Sequence, residues 1–148
     1  MKYEVSREIE FDAGHRVPNH LSKCASPHGH RYRCRVTFSG PLVPDGDRAD
    51  AGMVVDFTQL KVWLTELVHD RFDHAFIVQA SDLAMRSALA LVPAAVVVVV
   101  PFPPTAEELA AEIFTTLTNR ITGQPRCPVT VVRVELWETP TSLATVSA

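Results

Sequence analysis

Two stretches of strict alternation, residues 3–11 and 29–39, constrain this chain more than any other feature. In a strand, successive side chains point to opposite faces, so a period of two assigns each residue to a side. In the first stretch Tyr3, Val5, Ile9 and Phe11 share one face, with Arg7 as the exception, and Glu4, Ser6, Glu8 and Glu10 share the other. In the second, Tyr32, Cys34, Val36 and Phe38 oppose Arg31, Arg33, Arg35, Thr37 and Ser39. Each segment therefore predicts a strand with one apolar and one charged face. Residues 12–28 carry Gly14, Pro18, Asn19, Ser22, Ser26 and Pro27, and the pattern reads as a loop.

A Gly-, Pro- and Asp-rich loop follows residue 39. Asp56 then predicts the N-cap of a helix over 57–71, with Leu60, Trp63, Leu64, Leu67 and Val68 at helical spacing. A weaker helix is expected over 82–91. The run AAVVVVVPF is too short for a helix and rich in β-branched valine, which predicts a buried strand. Thr105 with Glu108 three residues on has the capping-box pattern. Leu109, Ile113, Leu117 and Ile121 line one side of the helix that follows, with Gly123 as its stop. Residues 128–138 predict a final strand. An initial strand pair with few β-α-β crossovers makes the class α+β. A length of 148 residues fits one domain spanning 1–148.

Charge and cysteine usage narrow the partners. A formal net charge of −3 argues against a nucleic acid held by bulk electrostatics. Three cysteines are a poor disulfide framework and fit a reducing compartment. The N-terminal residues are charged where a signal peptide needs an apolar core. The apolar stretch 88–102 is too short for a bilayer and contains Pro93 and Pro101. The expectation is a soluble, cytoplasmic chain without a membrane partner. Cys34 and Cys127 are assigned to packing.

The chemistry concentrates at the facing ends of the first two strands. His28 and His30, two apart, project to one face, and Gly29 leaves the other face open. If the strands pair as a hairpin, His15 lies at the same end and supplies a third nitrogen. Three histidines with an open fourth position form a common catalytic zinc arrangement. His-x-His alone occurs by chance at strand ends, and His20 and His69 are read as ordinary surface residues. Cys24, four residues before His28, has two readings that spacing leaves open. It is a reactive thiol beside the metal, or a fourth ligand closing a structural site. Asp73-His74 is a second candidate, as a carboxylate and an imidazole for proton transfer. Neighbouring residues rarely face each other, so the Asp is expected to serve another group. Glu138, at the end of the last strand, could grip a guanidine-like edge through two parallel hydrogen bonds. Taken alone, each of these also reads as solvated surface.

Taken in order, the segments Phe11-Asp12-Ala13-Gly14-His15, Cys24 to His30, Gly52 to Phe57, Asp73-His74, Pro104 to Glu107 and Trp137-Glu138-Thr139 resemble one known family. It comprises the 6-pyruvoyl-tetrahydropterin and 6-carboxytetrahydropterin synthases. The resemblance spans nearly the whole chain and implies a tunnelling fold. That fold is an antiparallel four-stranded sheet with two helices on one face, assembling into trimers or hexamers around a barrel, with active sites between subunits. It implies Zn2+ on His15, His28 and His30, and Cys24 as the proton-transferring thiol, aided by Asp73 and His74. Glu138 would anchor a pterin ring, with Thr105 and Glu107 close to it, and the substrate would be 7,8-dihydroneopterin triphosphate. Three residues separate Cys24 from His28. That gap resembles the bacterial carboxy-type enzymes of queuosine biosynthesis, which release acetaldehyde. The alternatives are the pyruvoyl-type reaction, which only eliminates triphosphate, and a non-catalytic zinc or pterin-binding protein.

The chain departs from the family pattern at Phe76-Ile77-Val78, at Glu107-Glu108 and in a longer segment between His74 and Pro104. A cupin-type metal oxygenase also uses His-x-His, but needs an all-β pattern that the helices contradict. Arg31, Arg33 and Arg35 could receive a triphosphate, and equally read as interface or solvated charge.

Overall fold

The computed structural model describes residues 1–122 and 128–148. Gly123 and Cys127 lie outside the described residues. Strand β1, Tyr3–His15, pairs antiparallel with β2, His28–Gly40, in an unbroken register from Tyr3 opposite Gly40 to His15 opposite His28. The first strand thus runs four residues beyond its predicted end. Asp12 to His15 keep the alternation and find ladder partners in β2, which spares their amide groups an unpaired end. The loop shrinks to 16–27 and contains one short 3-10 turn, Lys23–Ala25.

Strand β5, Thr130–Thr139, lies antiparallel to β2, and β6, Ser142–Ser147, lies antiparallel to β5. Strands β1-β2-β5-β6 form the expected four-stranded antiparallel sheet. The segment between His74 and Pro104 enlarges it. There β3, Ala75–Gln79, helix α3, Leu83–Ala90, and β4, Val97–Val100, add two parallel strands at the β1 edge. The sheet is therefore six-stranded and mixed, in the order β4-β3-β1-β2-β5-β6. β3 meets β1 only over Ala13, Gly14 and His15, beside the histidines.

Two strands escape the sequence pattern. β3 follows Asp73-His74 without turn residues to announce it, and β6 is short and only half apolar. A third strand is correctly placed but differently exposed. Val97 and Val99 are 37% and 48% exposed because β4 is an edge strand, so it is not the buried strand expected.

The inner face of the sheet carries Phe11, Tyr32, Cys34, Val36, Phe38, Val134 and Leu136. Against it pack Leu60, Trp63 and Leu64 of α1, Phe57–Leu64, and Leu109, Ile113 and Leu117 of α4, Ala106–Ile121. Burying each large side chain contributes about 1.5–3 kcal/mol before entropy is counted. Asp56 caps α1 by accepting from the Thr58 amide at 2.6 Å, and Thr105 caps α4 by accepting from the Glu108 amide.

The helix expected over 57–71 is not uniform. After α1 the chain widens into a π-helical turn, Thr65–His69, and ends in the short α2, Asp70–Phe72. Spacing explains the widening. Leu60, Leu64, Val68 and Phe72 recur every four residues, and all are essentially inaccessible. At 3.6 residues per turn each four-residue step overshoots by about 40°, which would carry Phe72 off the sheet. One wider turn absorbs the excess and keeps all four on the core. It also sets where Asp73 and His74 emerge.

Candidate metal and pterin site

His15, His28 and His30 continue the inner, apolar face of β1 and β2 beyond the last core side chains. The register places His15 opposite His28 and Ala13 opposite His30, so strand pairing alone brings the three rings together. Ring centroids are 4.5 Å apart for His15 and His28, 4.9 Å for His28 and His30, and 5.2 Å for His15 and His30. One nitrogen from each lies within 4.8 Å of the others.

Backbone carbonyls fix the rings. The His15 Nδ1–H donates to Pro104 O at 2.7 Å, and the His28 Nδ1–H donates to Ser26 O at 2.8 Å. Each bond selects the tautomer whose Nε2 lone pair is free to bind a metal. The His30 Nε2 is buried and has no hydrogen-bond partner. An orphaned, desolvated nitrogen beside two Nε2 lone pairs, that of His15 engaged only by the Tyr32 hydroxyl, is a donor set suited to a divalent transition metal, zinc included. Burial pushes the pKa of His15 and of His30 down and favours the neutral, ligating form.

Two further groups approach the cluster. Glu138 Oε1 lies 3.5 Å from His15 Nε2 and 3.8 Å from His30 Nε2. Tyr32 Oη is 3.3 Å from His15 Nε2, in a fully buried ring whose phenol is pushed up by desolvation. Sequence reasoning missed Tyr32. The signal was available, because Tyr32 follows His30 by two on the same strand face.

Glu138, Thr105, Glu107 and Cys24 line one cleft of about 300 Å³ with His15. The four expected residues come together although they derive from β5, the α4 cap, α4 and the 16–27 loop. Cys24 is half-buried, and it does not belong to the group of converging ligand atoms. Its carbonyl accepts from the Val17 amide at 2.8 Å, which ties the 3-10 turn to the exit of β1. Cys34 is buried in the core and its thiol is pushed up to about 12 by desolvation, as its packing role predicts.

Asp73 and His74 stand elsewhere. His74 lines a second cleft of about 440 Å³ with Gly29, His30 and Arg31, and its side chain is 79% exposed. Contrary to expectation, the adjacent pair does meet. The His74 Nδ1–H donates to Asp73 Oδ2 at 2.6 Å, because His74 adopts φ = 57° and its ring folds back. This left-handed conformation costs a non-glycine residue about 1 kcal/mol. The His74 amide holds it by donating to Asp12 O at 2.7 Å. Asp73 Oδ1 in turn accepts from the Asp12 amide, and this bond is the main reason its pKa lies below the usual value.

The basic row on the outer face of β2 is mostly neutralised. Arg31 forks onto Asp12 and Arg35 bonds Glu8, both acids of β1. Arg33 lies over the Trp137 ring at 4.2 Å. Of the surface histidines, His20 bonds Ser22, and His69 contacts Asp70 and Asp73.

An α+β sheet with its helices on one face and a three-histidine cluster at the rim defines a small metalloenzyme-like site beside a polar cleft. Residues 4–148 match the 6-pyruvoyl tetrahydropterin synthase family, so the chain belongs to that family and is an enzyme of the tetrahydropterin synthase type. It is 36% identical to the 6-carboxy-5,6,7,8-tetrahydropterin synthase of Haemophilus influenzae, covering 95% of each chain. It is 32% identical to that of Aquifex aeolicus, covering 97% of each. Among solved structures it superposes on an uncharacterized protein from Wolinella succinogenes with TM-score 0.78 and 26% identity, over 99% of this chain and 98% of that one. It shares the fold of the Caenorhabditis elegans 6-pyruvoyl tetrahydropterin synthase, with TM-score 0.68 and 23% identity, over 100% of this chain and 96% of that one. Among the described residues no helix is long and apolar enough to cross a membrane.

Proposed function

We propose that this chain is a zinc-dependent 6-carboxy-5,6,7,8-tetrahydropterin synthase. It would convert 7,8-dihydroneopterin triphosphate and water to the 6-carboxy product, acetaldehyde and triphosphate. The carrying observation is the convergence of three carbonyl-anchored or orphaned imidazoles beside Glu138. It occurs in a chain whose 36% identical relative bears that enzyme's name.

His15, His28 and His30 would hold the metal. Bound there, it would supply Lewis acidity toward the C–H bonds next to the substrate's side-chain hydroxyls. The Glu138 carboxylate accepts from the ring N–H and amino group of the pterin, and Thr105 and Glu107 border the same ring. Cys24, as thiolate, takes a proton from the side chain of the substrate. The Asp73 carboxylate orients His74 and stabilises its protonated form, so that the imidazole can pass a proton on.

Cys24 and His74 line different clefts of one chain, and His74 is largely exposed. This supports a homo-oligomer in which the His74 of one subunit completes the Cys24 cleft of another. The three-residue gap between Cys24 and His28 favours the carboxy-type product.

The test is to incubate zinc-loaded protein with 7,8-dihydroneopterin triphosphate and identify products by mass spectrometry. The 6-carboxy product with acetaldehyde is expected. A 6-pyruvoyl product keeps the site and moves the reaction to triphosphate elimination alone. Absence of turnover with zinc bound overturns the proposal in favour of a binding role.

A further inference from the structure

Arg16 and Asp82 form a forked ion pair between the exit of β1 and the start of α3. Arg16 Nε donates to Asp82 Oδ2 and Nη2 donates to Oδ1, both at 2.6 Å. The Asp82 side chain is 3% exposed and that of Arg16 is 26% exposed. A forked guanidinium–carboxylate pair fixes direction as well as distance.

Its connections are what matter. Arg16 directly follows His15, and its Nη1 reaches Ala25 O at 3.5 Å, one residue beyond Cys24. The Val17 amide donates to the Cys24 carbonyl. Asp82 Oδ1 also accepts from the Met85 amide at 3.1 Å and so caps α3. One side chain therefore ties the exit of β1, the Cys24 turn and the start of α3. Neither member contributes to the core cluster or lines the clefts described above.

We infer that Arg16 and Asp82 are positioning residues that hold the Cys24 turn in place beside the histidine cluster. The β3–α3–β4 segment braces that turn by presenting Asp82. The Cys24 turn has little else to hold it. Its three residues bury no side chain, and apart from the Val17–Cys24 bond its backbone bonds are those internal to a single short turn. This inference rests on the reading of Cys24 as the proton-transferring thiol.

Asp82→Asn separates the two jobs of Asp82, because the amide oxygen can still cap α3 while the charged fork is lost. Two quantities are read in zinc-loaded protein. One is the steady-state kcat and KM for 7,8-dihydroneopterin triphosphate. The other is the rate at which iodoacetamide alkylates Cys24, followed by peptide mass spectrometry so that other cysteines do not contribute. The expected result is a kcat lower by about 10- to 100-fold, the scale of loss for a catalytic group displaced by about 1 Å. KM stays within about threefold, because Glu138, Thr105 and Glu107 are untouched. Cys24 alkylation accelerates at least about fivefold as the turn loosens.

A folded Asp82→Asn protein with either kcat or alkylation within about twofold of the parent overturns the inference and leaves a purely structural ion pair. If Asp82→Asn does not fold, Arg16→Lys keeps the cation without the fork and is read by the same limits. If the parent protein shows no turnover, the proposed function fails, and alkylation alone decides the clamp.

Discussion

His74 and Asp73 are sequence neighbours whose side chains nevertheless hydrogen-bond at 2.6 Å, because a φ of 57° at His74 turns its ring back on the preceding carboxylate. Strain of this kind persists only where the surroundings enforce it, and here the Asp12 backbone does so with one bond to each residue. Asp73→Asn keeps the shape and removes the charge that would stabilise a protonated imidazole. We expect kcat to fall by about 10²-fold or more, within the usual range for acid–base groups, with zinc content unchanged. Equal kcat in variant and parent, measured by product formation, would remove the pair from the mechanism.

Cys24 stands outside the converging ligand atoms. Cys24→Ala is therefore expected to retain one zinc per chain by elemental analysis while losing turnover. Loss of zinc together with a lower melting temperature would instead make Cys24 a ligand, since metal binding couples to folding.

His30 Nε2 is buried without a partner, and His15 is 1% exposed. His30→Ala should abolish stoichiometric zinc, read by elemental analysis. It should leave the chelator-treated protein no less stable than its parent, because it deletes an unsatisfied buried group.

Burial lowers the pKa of both His15 and His30 below the ordinary value of 6.5. In the metal-free protein the unfolded chain then binds protons first as pH falls, so stability is present above pH 6.5 and declines below it. Thermal unfolding in chelator should give a lower midpoint at pH 5 than at pH 7.5. The gap should narrow when both histidines are replaced by Gln. A midpoint independent of pH between those values would contradict the burial argument.

Leu64 is fully buried and sits just before the π-helical turn. Leu64→Ala should cost about 2–5 kcal/mol in urea unfolding, the range for a core leucine. Deleting Glu66 should be tolerated, because the wider turn absorbs one extra residue: in a regular α-helix the remaining apolar spacing of four, three and four keeps Val68 and Phe72 on the core with Leu60 and Leu64. Retained activity in the folded deletion variant is the expected readout, and a deletion that abolishes it would contradict this reading of the turn.

Much of this protein was legible in the sequence because its signals are short-range. Alternation on β1 and β2 assigned the inner and outer faces, and it put His28, His30 and Tyr32 on one of them. Side-chain capping at Asp56 and Thr105 marked the two main helices. Those inferences need only a period and a neighbouring residue, and the ordered motifs added the family.

The tertiary structure decided what depends on partners distant in the chain. The ladder with β2 carried β1 on to His15, and packing on the core turned a four-residue apolar repeat into a π-helical turn. Edge pairing alone recruited β3 and β4, whose local sequence does not say which neighbour they will meet. The meeting of Cys24, Thr105, Glu107 and Glu138 in one cleft, the placing of His74 in another, and the Arg16–Asp82 fork all join segments tens of residues apart. Residue patterns fix which face a side chain takes. Only the closed sheet and its packed helices fix what stands opposite it.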